Sequence, residues 1–375
     1  MNKKNTSPTP YGSGRWVIPS FGGPDVLEWQ ETDVTEAPGP DSALVRILVA
    51  GIAGTDNLQR VGGYPNERCA KPGFTPGYDF VGEIVALGSE TAAPSASSQP
   101  RLAKGDRVTA LCTVGAHATH IYMPLADLVR VEPTDDAVAV CALPLNYMTA
   151  YGMLRRSGVA LPRGSTVLIG SASGGVGTAV AQVVRAFDLG IAMIGTCSPS
   201  KFDFVRELGV QPVDRHAPDL AARVRALTPG GRGVDVAFDA VGSEESLRRS
   251  HEATRDDGGK VLVIGVMSEI RTDGDGLRGG DGSLDVGSLL RERARPWTVF
   301  FSMDRDWYYP ERASWVAALR EVLARVREGS LAPVVARRFR LSEAVEAHRE
   351  LVAGANVRGK MVFVVDEELA AQEGI

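Results

Sequence analysis

The sequence predicts an α/β protein of two domains, a doubly wound parallel sheet set inside a second, mostly β domain, and three observations carry that expectation. At 375 residues the chain exceeds the roughly 100 to 200 residues that one hydrophobic core serves comfortably. From about Pro144 onward, short apolar strands alternate strictly with helical stretches, the pattern of βαβ units joined into a parallel sheet. One of those strands, Val167-Leu168-Ile169, runs straight into Gly170-Ser171-Ala172-Ser173-Gly174-Gly175-Val176-Gly177 and then a helical stretch at 178–187, the order of a dinucleotide-binding turn.

Taken in order, residues 1–15 carry Lys3, Lys4 and several Ser, Thr and Pro but no apolar segment, so they read as a solvated tail and not as a secretory signal. Extended runs at 44–49, 80–87 and 106–111, punctuated by Gly and Pro, read as antiparallel β. The Ser/Ala/Pro stretch 90–100 has no periodicity and reads as an exposed loop between strands. The parallel series is 166–169, 192–196, 234–240 and 260–266, followed by a Gly/Asp-rich loop at 273–287 and a last apolar strand at 298–302. Trp315, Leu319, Leu323 and Val326 then recur at helical spacing, and 360–365 reads as a final strand. That C-terminal stretch lacks a core of its own and is expected to pack back on the first domain. The domains are therefore placed at 1–142, 143–303 and 304–375, the third segment completing the first.

Charged residues at 23% and apolar residues at 44% describe an ordinary globular balance, and no apolar run is read as long enough to span a membrane. A net charge of −5 offers no basic footprint for nucleic acid or an anionic membrane. Cys69, Cys112, Cys141 and Cys197 stand singly, without CxxC spacing, which points to free thiols in a reducing, cytoplasmic setting with neither disulfide nor structural zinc.

In the glycine turn, backbone must approach a pyrophosphate closely at Gly174, and Gly177 lets helix and strand pack tightly. The helix start, with Ser173, Gly175 and Val176, presents free N–H groups and a positive dipole end to phosphate. Ala172 stands where the first glycine of G-x-G-x-x-G is expected. An NAD site places an Asp or Glu at the end of the second strand to hold the ribose 2′-hydroxyl. Here that strand ends Thr196-Cys197-Ser198-Pro199-Ser200-Lys201, with hydroxyls and a cation instead, and Arg215 follows the third strand. The pattern favours NADPH, with the 2′-phosphate met by Ser198, Lys201 and Arg215. The bland alternative is that Lys201 only begins a solvated helix face.

Five segments in order, Ala50-Gly51-Ile52-Ala53-Gly54-Thr55-Asp56, Pro76-Gly77-Tyr78-Asp79, Gly105-Asp106-Arg107-Val108, Thr149-Ala150-Tyr151 and the Ala-x-Gly-Gly-Val-Gly turn, resemble the medium-chain dehydrogenase/reductase family over nearly the whole chain. Arg60-Val61-Gly62-Gly63-Tyr64-Pro65 is similar to the Arg-x-Gly-x-Tyr-Pro of its quinone oxidoreductase and enoyl reductase branch. The resemblance implies a Rossmann-type cofactor domain plus a GroES-like, mostly β catalytic domain, and joining of two nucleotide sheets through the strand at 298–302 into a homodimer.

It also implies the site. The three positions that hold catalytic zinc in zinc-dependent members carry Ala53, Tyr78 and Leu145, which cannot supply the nitrogen and sulfur donors such a site needs, so no metal is expected. His117 and His120 are a tempting pair, but three residues apart on one strand they face opposite sides. Without a metal, hydroxyls must stabilise developing negative charge, which shifts the chemistry towards conjugate reduction of a small apolar enone, enoyl or quinone substrate. Tyr64 matches the enolate-stabilising tyrosine of enoyl reductases, Thr55 the family's proton-relay position, and Tyr78 is a third candidate from its place alone. Thr149 matches a threonine beside the nicotinamide, while Val241, Gly265 and Val266 end strands at the cofactor edge. Ala53 departs from the asparagine usual in this branch. Alternatives are a zinc-free alcohol or ketone oxidoreductase and a non-catalytic nucleotide-binding protein. The aromatic loop 299–309, with Phe300, Phe301, Trp307, Tyr308 and Tyr309, fits a flat-substrate pocket or a core or dimer role equally well.

Overall fold

The computed structural model describes residues 12–89, 101–271, 273–278, 284–354 and 357–375. The expected exposed loop at 90–100 and residues 1–11 of the expected tail lie outside them. Gly14 and Arg15, placed in that tail by composition, instead belong to strand β1 (Gly14–Val17), paired antiparallel with β2 (Glu28–Glu31). Aromatic packing outweighs the polar composition here. Trp16 and Trp29 meet edge to face with centroids 5.7 Å apart, and Trp16 Nε1 donates to the Leu341 carbonyl at 2.7 Å.

The first sheet is built on β3 (Ser42–Ile52), whose long apolar run is buried along most of its length. It pairs antiparallel with β4 (Asp79–Leu87), which pairs with β5 (Arg107–Leu111), while β6 (His120–Pro124) adds to β3 and β7 (Val129–Arg130) to β5. His117 lies before β6 and outside any strand, so the two histidines do not share one: His117 is fully buried and His120 partly so.

The second sheet comprises β8 (Thr166–Ile169), β9 (Ala192–Cys197), β10 (Gln211–Asp214), β11 (Val236–Asp239), β12 (Lys260–Val263) and β13 (Thr298–Phe300), in spatial order β10-β9-β8-β11-β12-β13 with every neighbouring pair parallel. The chain winds outward in one direction from β8 and in the other from β11, so a crevice opens at their carboxyl ends. The chain's last strands, β14 (Val335–Arg340) and β15 (Lys360–Val364), leave this body: β15 pairs antiparallel with β3, and β14 lies parallel beside it at the edge of the first sheet.

Four local expectations need correction. The helix after the glycine turn begins at Gly175, not 178. The glycines themselves form its first turn, because a Cβ at Gly177 would lie 2.5 Å from the Ser171 carbonyl oxygen. The loop expected at 273–287 ends early in the helix Val286–Glu292, where Asp285 accepts the Ser288 N–H at 3.0 Å. The last strand stops at Phe300 because Ser302 N turns to the Asp306 carboxylate at 2.8 Å. Finally, Ala137–Arg155 is a helical run long and apolar enough to cross a membrane by length and composition, and most of it is buried inside the protein as core between the sheets.

Candidate active site

The cleft lies where the first sheet faces the carboxyl ends of β12 and β13, in a cavity of about 730 Å³. One wall carries Thr55, Tyr64, Tyr78, Leu145 and Thr149; the other carries Gly265, Val266, Phe300, Phe301 and Asp304.

Each hydroxyl is set by local backbone. The helix Gly54–Arg60 begins with Ala53 N–H held by the Asp56 carboxylate at 2.8 Å, which puts Thr55 in its first turn. Thr55 Oγ1 is buried without a partner among the described residues. Beyond that helix, Gly62 turns at φ +78 against the Phe21 ring, and Tyr64 follows. Arg60 of the same motif is not at the cleft. It is fully buried, bonded to Asn57 Oδ1 of its own helix at 3.0 Å, the Gly274 carbonyl at 3.1 Å and the Gly22 carbonyl, and so ties two loops to that helix. Gly77, at φ +101 with no room for a Cβ beside His117, delivers Tyr78.

Tyr64 and Tyr78 meet hydroxyl to hydroxyl at 2.5 Å, their rings edge to face. Both hydroxyls also reach Asp304 Oδ2, at 3.0 Å from Tyr64 and 2.9 Å from Tyr78. Tyr78 is buried and Tyr64 partly exposed towards the cavity it lines. Burial pushes both phenols well above their ordinary range, and the Asp304 charge adds to the shift, so both remain protonated at neutral pH. Asp304 is absent from the sequence candidates. It belongs to no motif and lies 240 residues from Tyr64, and the one available signal was an acid just past an apolar strand, at the sheet edge where ligands bind. The aromatic loop divides: Phe300, Phe301 and Tyr309 line the cleft, while Trp307 and Tyr308 are core.

The former ligand positions serve other purposes. Ala53 is the helix N-cap, and Leu145 lines the cleft while its N–H donates to Asp79 at 3.2 Å. Among the described residues no group of three or more His, Cys, Asp or Glu is gathered as a metal site would need.

At the glycine turn, Gly174 caps the helix Gly175–Ala186. Ser173 is buried, its carbonyl accepting the Gly359 N–H at 3.0 Å, so the C-terminal segment braces the turn. Thr196 Oγ1 accepts the Ser171 N–H at 3.2 Å from the end of β9. Val176 packs partly buried against the core behind the turn. After β11, Val241 is exposed, and Gly242 abuts the Gly265 carbonyl so closely that a Cβ would lie 2.5 Å from it. Past β9, Ser198 is partly exposed and Lys201 buried, its Nζ donating to the Val357 carbonyl at 3.2 Å. Burial and the nearby Arg215 and Arg358 charges lower the Lys201 pKa. Arg358 is a third cation here, from the far end of the chain, that motif spacing could not reveal. Among the described residues none of the three is paired with a carboxylate.

A parallel sheet with a glycine turn at its switch point, facing a β domain across a hydroxyl-lined cleft, defines the class of two-domain dinucleotide proteins. The chain matches the family "Alcohol dehydrogenase GroES-like domain" over residues 39–133 and "Zinc-binding dehydrogenase" over residues 208–363. It is 31% identical to the rat synaptic vesicle membrane protein VAT-1 homolog over 254 residues, 67% of this chain and 59% of that protein, so the match spans little more than half the length of that relative. It is 26% identical to human quinone oxidoreductase over 352 residues, 92% of this chain and 95% of that one. Among solved structures, a Pseudomonas syringae quinone oxidoreductase aligns with TM-score 0.77 and 26% identity over 94% of this chain and 100% of that one. Escherichia coli quinone oxidoreductase complexed with NADPH aligns with TM-score 0.77 and 23% identity over the same shares. The chain belongs to the medium-chain dehydrogenase/reductase superfamily, in its quinone oxidoreductase and enoyl reductase branch.

Proposed function

We propose that this chain is a zinc-independent, NADPH-dependent reductase of small apolar enone, enoyl or quinone substrates, acting as a homodimer. The observation that carries the reading is the Tyr64–Tyr78–Asp304 cluster, set in an apolar cleft at the carboxyl edge of a dinucleotide sheet.

The residues present suit the cofactor. The first-turn amides of the helix Gly175–Ala186 lack helical acceptors and would hold a pyrophosphate. Lys201, Arg215 and Arg358 converge past β9 with no carboxylate among the described residues bonded to them, which suits a 2′-phosphate and not a bare ribose hydroxyl. Thr149, Gly265 and Val266 line the cleft beside the strand ends, where the nicotinamide end belongs. Bound NADPH supplies hydride to the substrate's conjugated system.

The chain's own residues do the rest. The apolar walls bind the substrate body and exclude water. Tyr64, the less buried phenol, donates to the oxygen that gains negative charge, with Tyr78 behind it, and the unpartnered Thr55 Oγ1 offers a second hydrogen bond. The homodimer rests on β13, an edge strand with partly exposed side chains that pairs on one side only.

The test is NADPH oxidation on a panel of enones, quinones and aldehydes, with and without chelator. Turnover of an enone or quinone that survives chelation is expected. Turnover of aldehydes alone favours the alcohol/ketone reading, and loss of activity in chelator overturns zinc independence.

A further inference from the structure

We propose that Asp304 is the proton-holding, positioning residue of the cleft: with a proton on Oδ2 it makes the Tyr64–Tyr78 pair a hydrogen-bond donor to the substrate's carbonyl oxygen, and without one it locks both hydroxyls inward. The proposal rests on the reductase reading above and concerns how that site is switched.

The argument is a count of hydrogens. Tyr64 oxygen, Tyr78 oxygen and Asp304 Oδ2 form a triangle with sides of 2.5, 3.0 and 2.9 Å. Each phenol brings one hydrogen and a carboxylate none. With Asp304 ionised, two hydrogens serve three close contacts. Turning either hydrogen out to a ligand leaves one hydrogen for the whole triangle, including a 2.5 Å oxygen–oxygen contact that needs one. A third proton changes this: two hydrogens hold the triangle and the remaining donor is free to face the cleft.

That proton belongs on Oδ2. The other carboxyl oxygen, Oδ1, already accepts from Ser302 Oγ and from the Arg305 N–H at 2.8 Å. The remaining groups around the triangle do not supply it. Cys69 donates to the Asn66 and Tyr64 carbonyls, and burial pushes its thiol up to about 11. The Arg305 guanidinium is held by Asp306 at 2.7 and 2.8 Å, and Arg68 is turned to the Cys112 carbonyl at 2.7 Å. Asp304 is 93% removed from solvent, since it is only 7% exposed, so its proton is shared first with the two phenols.

In turnover, reduction of the conjugated system leaves a negative charge on the substrate oxygen. That oxygen takes the Tyr64 hydrogen, Tyr64 takes the Tyr78 hydrogen, and Tyr78 takes the Asp304 proton. One proton has moved from Asp304 to the substrate, and bulk water restores it before the next cycle. Asp304 does not touch the substrate, so it is a positioning residue.

The test has two readouts taken across mildly acidic to alkaline pH: calorimetric binding of cyclohexanone, a saturated ketone that accepts a hydrogen bond but is not an enone, and turnover of the best enone. In the unaltered protein both are expected to fall about tenfold per pH unit above the cluster's apparent pKa. Asp304→Asn, whose amide carries permanent hydrogens but no transferable proton, is expected to remove the pH dependence from ketone binding and to lower enone turnover at every pH. Ser302→Ala, which takes a donor from Oδ1, should move the decline to higher pH, because the ionised form loses a hydrogen bond. An alkaline decline that persists unchanged in Asp304→Asn overturns the proposal. Enone turnover with a flat pH profile in the unaltered protein also overturns it while leaving the reductase reading intact. Ketone binding that shows the decline, with no enone or quinone reduced, supports the proton switch and removes the reductase reading.

Discussion

Tyr78 and Asp79 are neighbours in the chain, yet they belong to two buried polar clusters of opposite character. Tyr78 turns to the cleft and shares hydrogens with Tyr64 and Asp304. Asp79, at the start of β4, turns to the opposite side and grips Lys360 Nζ of β15 at 2.9 and 3.0 Å, both side chains being essentially free of solvent. Burial pushes the Asp79 pKa up, and the Lys360 charge pulls it back. The pair packs so tightly over β3 that a Cβ at Gly51 would lie 1.8 Å from Asp79 Oδ1 and 2.6 Å from Lys360 Nζ. One cluster is closed on two opposite charges; the other is a set of hydroxyls around a single acid, open to a ligand. Burial thus serves anchorage on one side of the strand and proton handling on the other, and substitutions should separate the two.

The largest expected effect falls on the anchoring side. Lys360→Met leaves Asp79 buried without its partner, and chemical denaturation should show a loss of about 3 to 5 kcal/mol. Adding Asp79→Leu should restore most of that, since a matched apolar pair removes the stranded charge. A single variant within 1 kcal/mol of the parent, roughly the scale of an exposed pair, would break the contrast.

On the cleft side the loss should appear in rate and not in stability. Tyr64→Phe removes one oxygen and is expected to lower turnover on the order of a hundredfold, the lower end of general acid assistance, with cofactor affinity and denaturation midpoint unchanged. Tyr78→Phe is the internal comparison, expected to cost less because Tyr78 stands behind Tyr64. If both variants keep nearly full activity, Thr55 or an ordered water carries the proton.

A smaller, selective effect is expected at the cofactor end. Arg358→Ala should weaken NADPH binding by about 1 to 3 kcal/mol, the worth of a hydrogen bond to a charged group, and leave NADH binding unchanged. Lys201→Ala should cost less, because Lys201 Nζ is already engaged with the Val357 carbonyl. Titration of the unaltered protein with both cofactors checks the premise, and equal or tighter NADH binding removes the NADPH assignment.

These two regions also differ in how far the sequence reveals them. The parallel sheet was legible because its signals are local: a strand, a glycine turn and a helix follow one another, and strand periodicity repeats from β8 to β12. Tyr64, Tyr78 and Thr55 could be singled out because their motifs are short and continuous. Asp304, Arg358 and the Asp79–Lys360 pair could not, since each meets its partners only through contacts between distant parts of the chain, and no spacing rule reports a contact across 281 residues. The membrane-length helical run escaped the sequence reading for a different reason. Pro144, Asn146 and Arg155 interrupt its apolar texture, whereas in the fold successive helical pieces, Ala137–Val140, Leu143–Tyr147 and Met148–Arg155, follow one another as a mostly buried run.

The smallest effect separates the anchoring side from the cleft by pH. Behind the Asp79–Lys360 pair, His117 Nε2 donates to the Gly51 carbonyl at 3.0 Å while its Nδ1 has no partner among the described residues, nor has either nitrogen of the fully buried His348. Burial lowers both pKa values. Asp56 works against this at His117, whereas the His117 and Arg60 charges reinforce it at His348. The unfolded chain therefore takes up protons on these histidines near pH 6.5, before the folded one does. Stability from this source is fully present above about pH 6.5 and is lost as pH falls below it, at up to about 1.4 kcal/mol per pH unit for each histidine. His348→Phe keeps an aromatic ring against His117 and removes two unpartnered polar atoms. Denaturation at pH 7 should show it equal to or about 1 kcal/mol more stable than the parent, with a shallower decline below pH 6.5. A decline as steep as the parent's would place the acid sensitivity on other groups, and a loss of stability at pH 7 would mean that the imidazole makes a hydrogen bond the folded chain relies on.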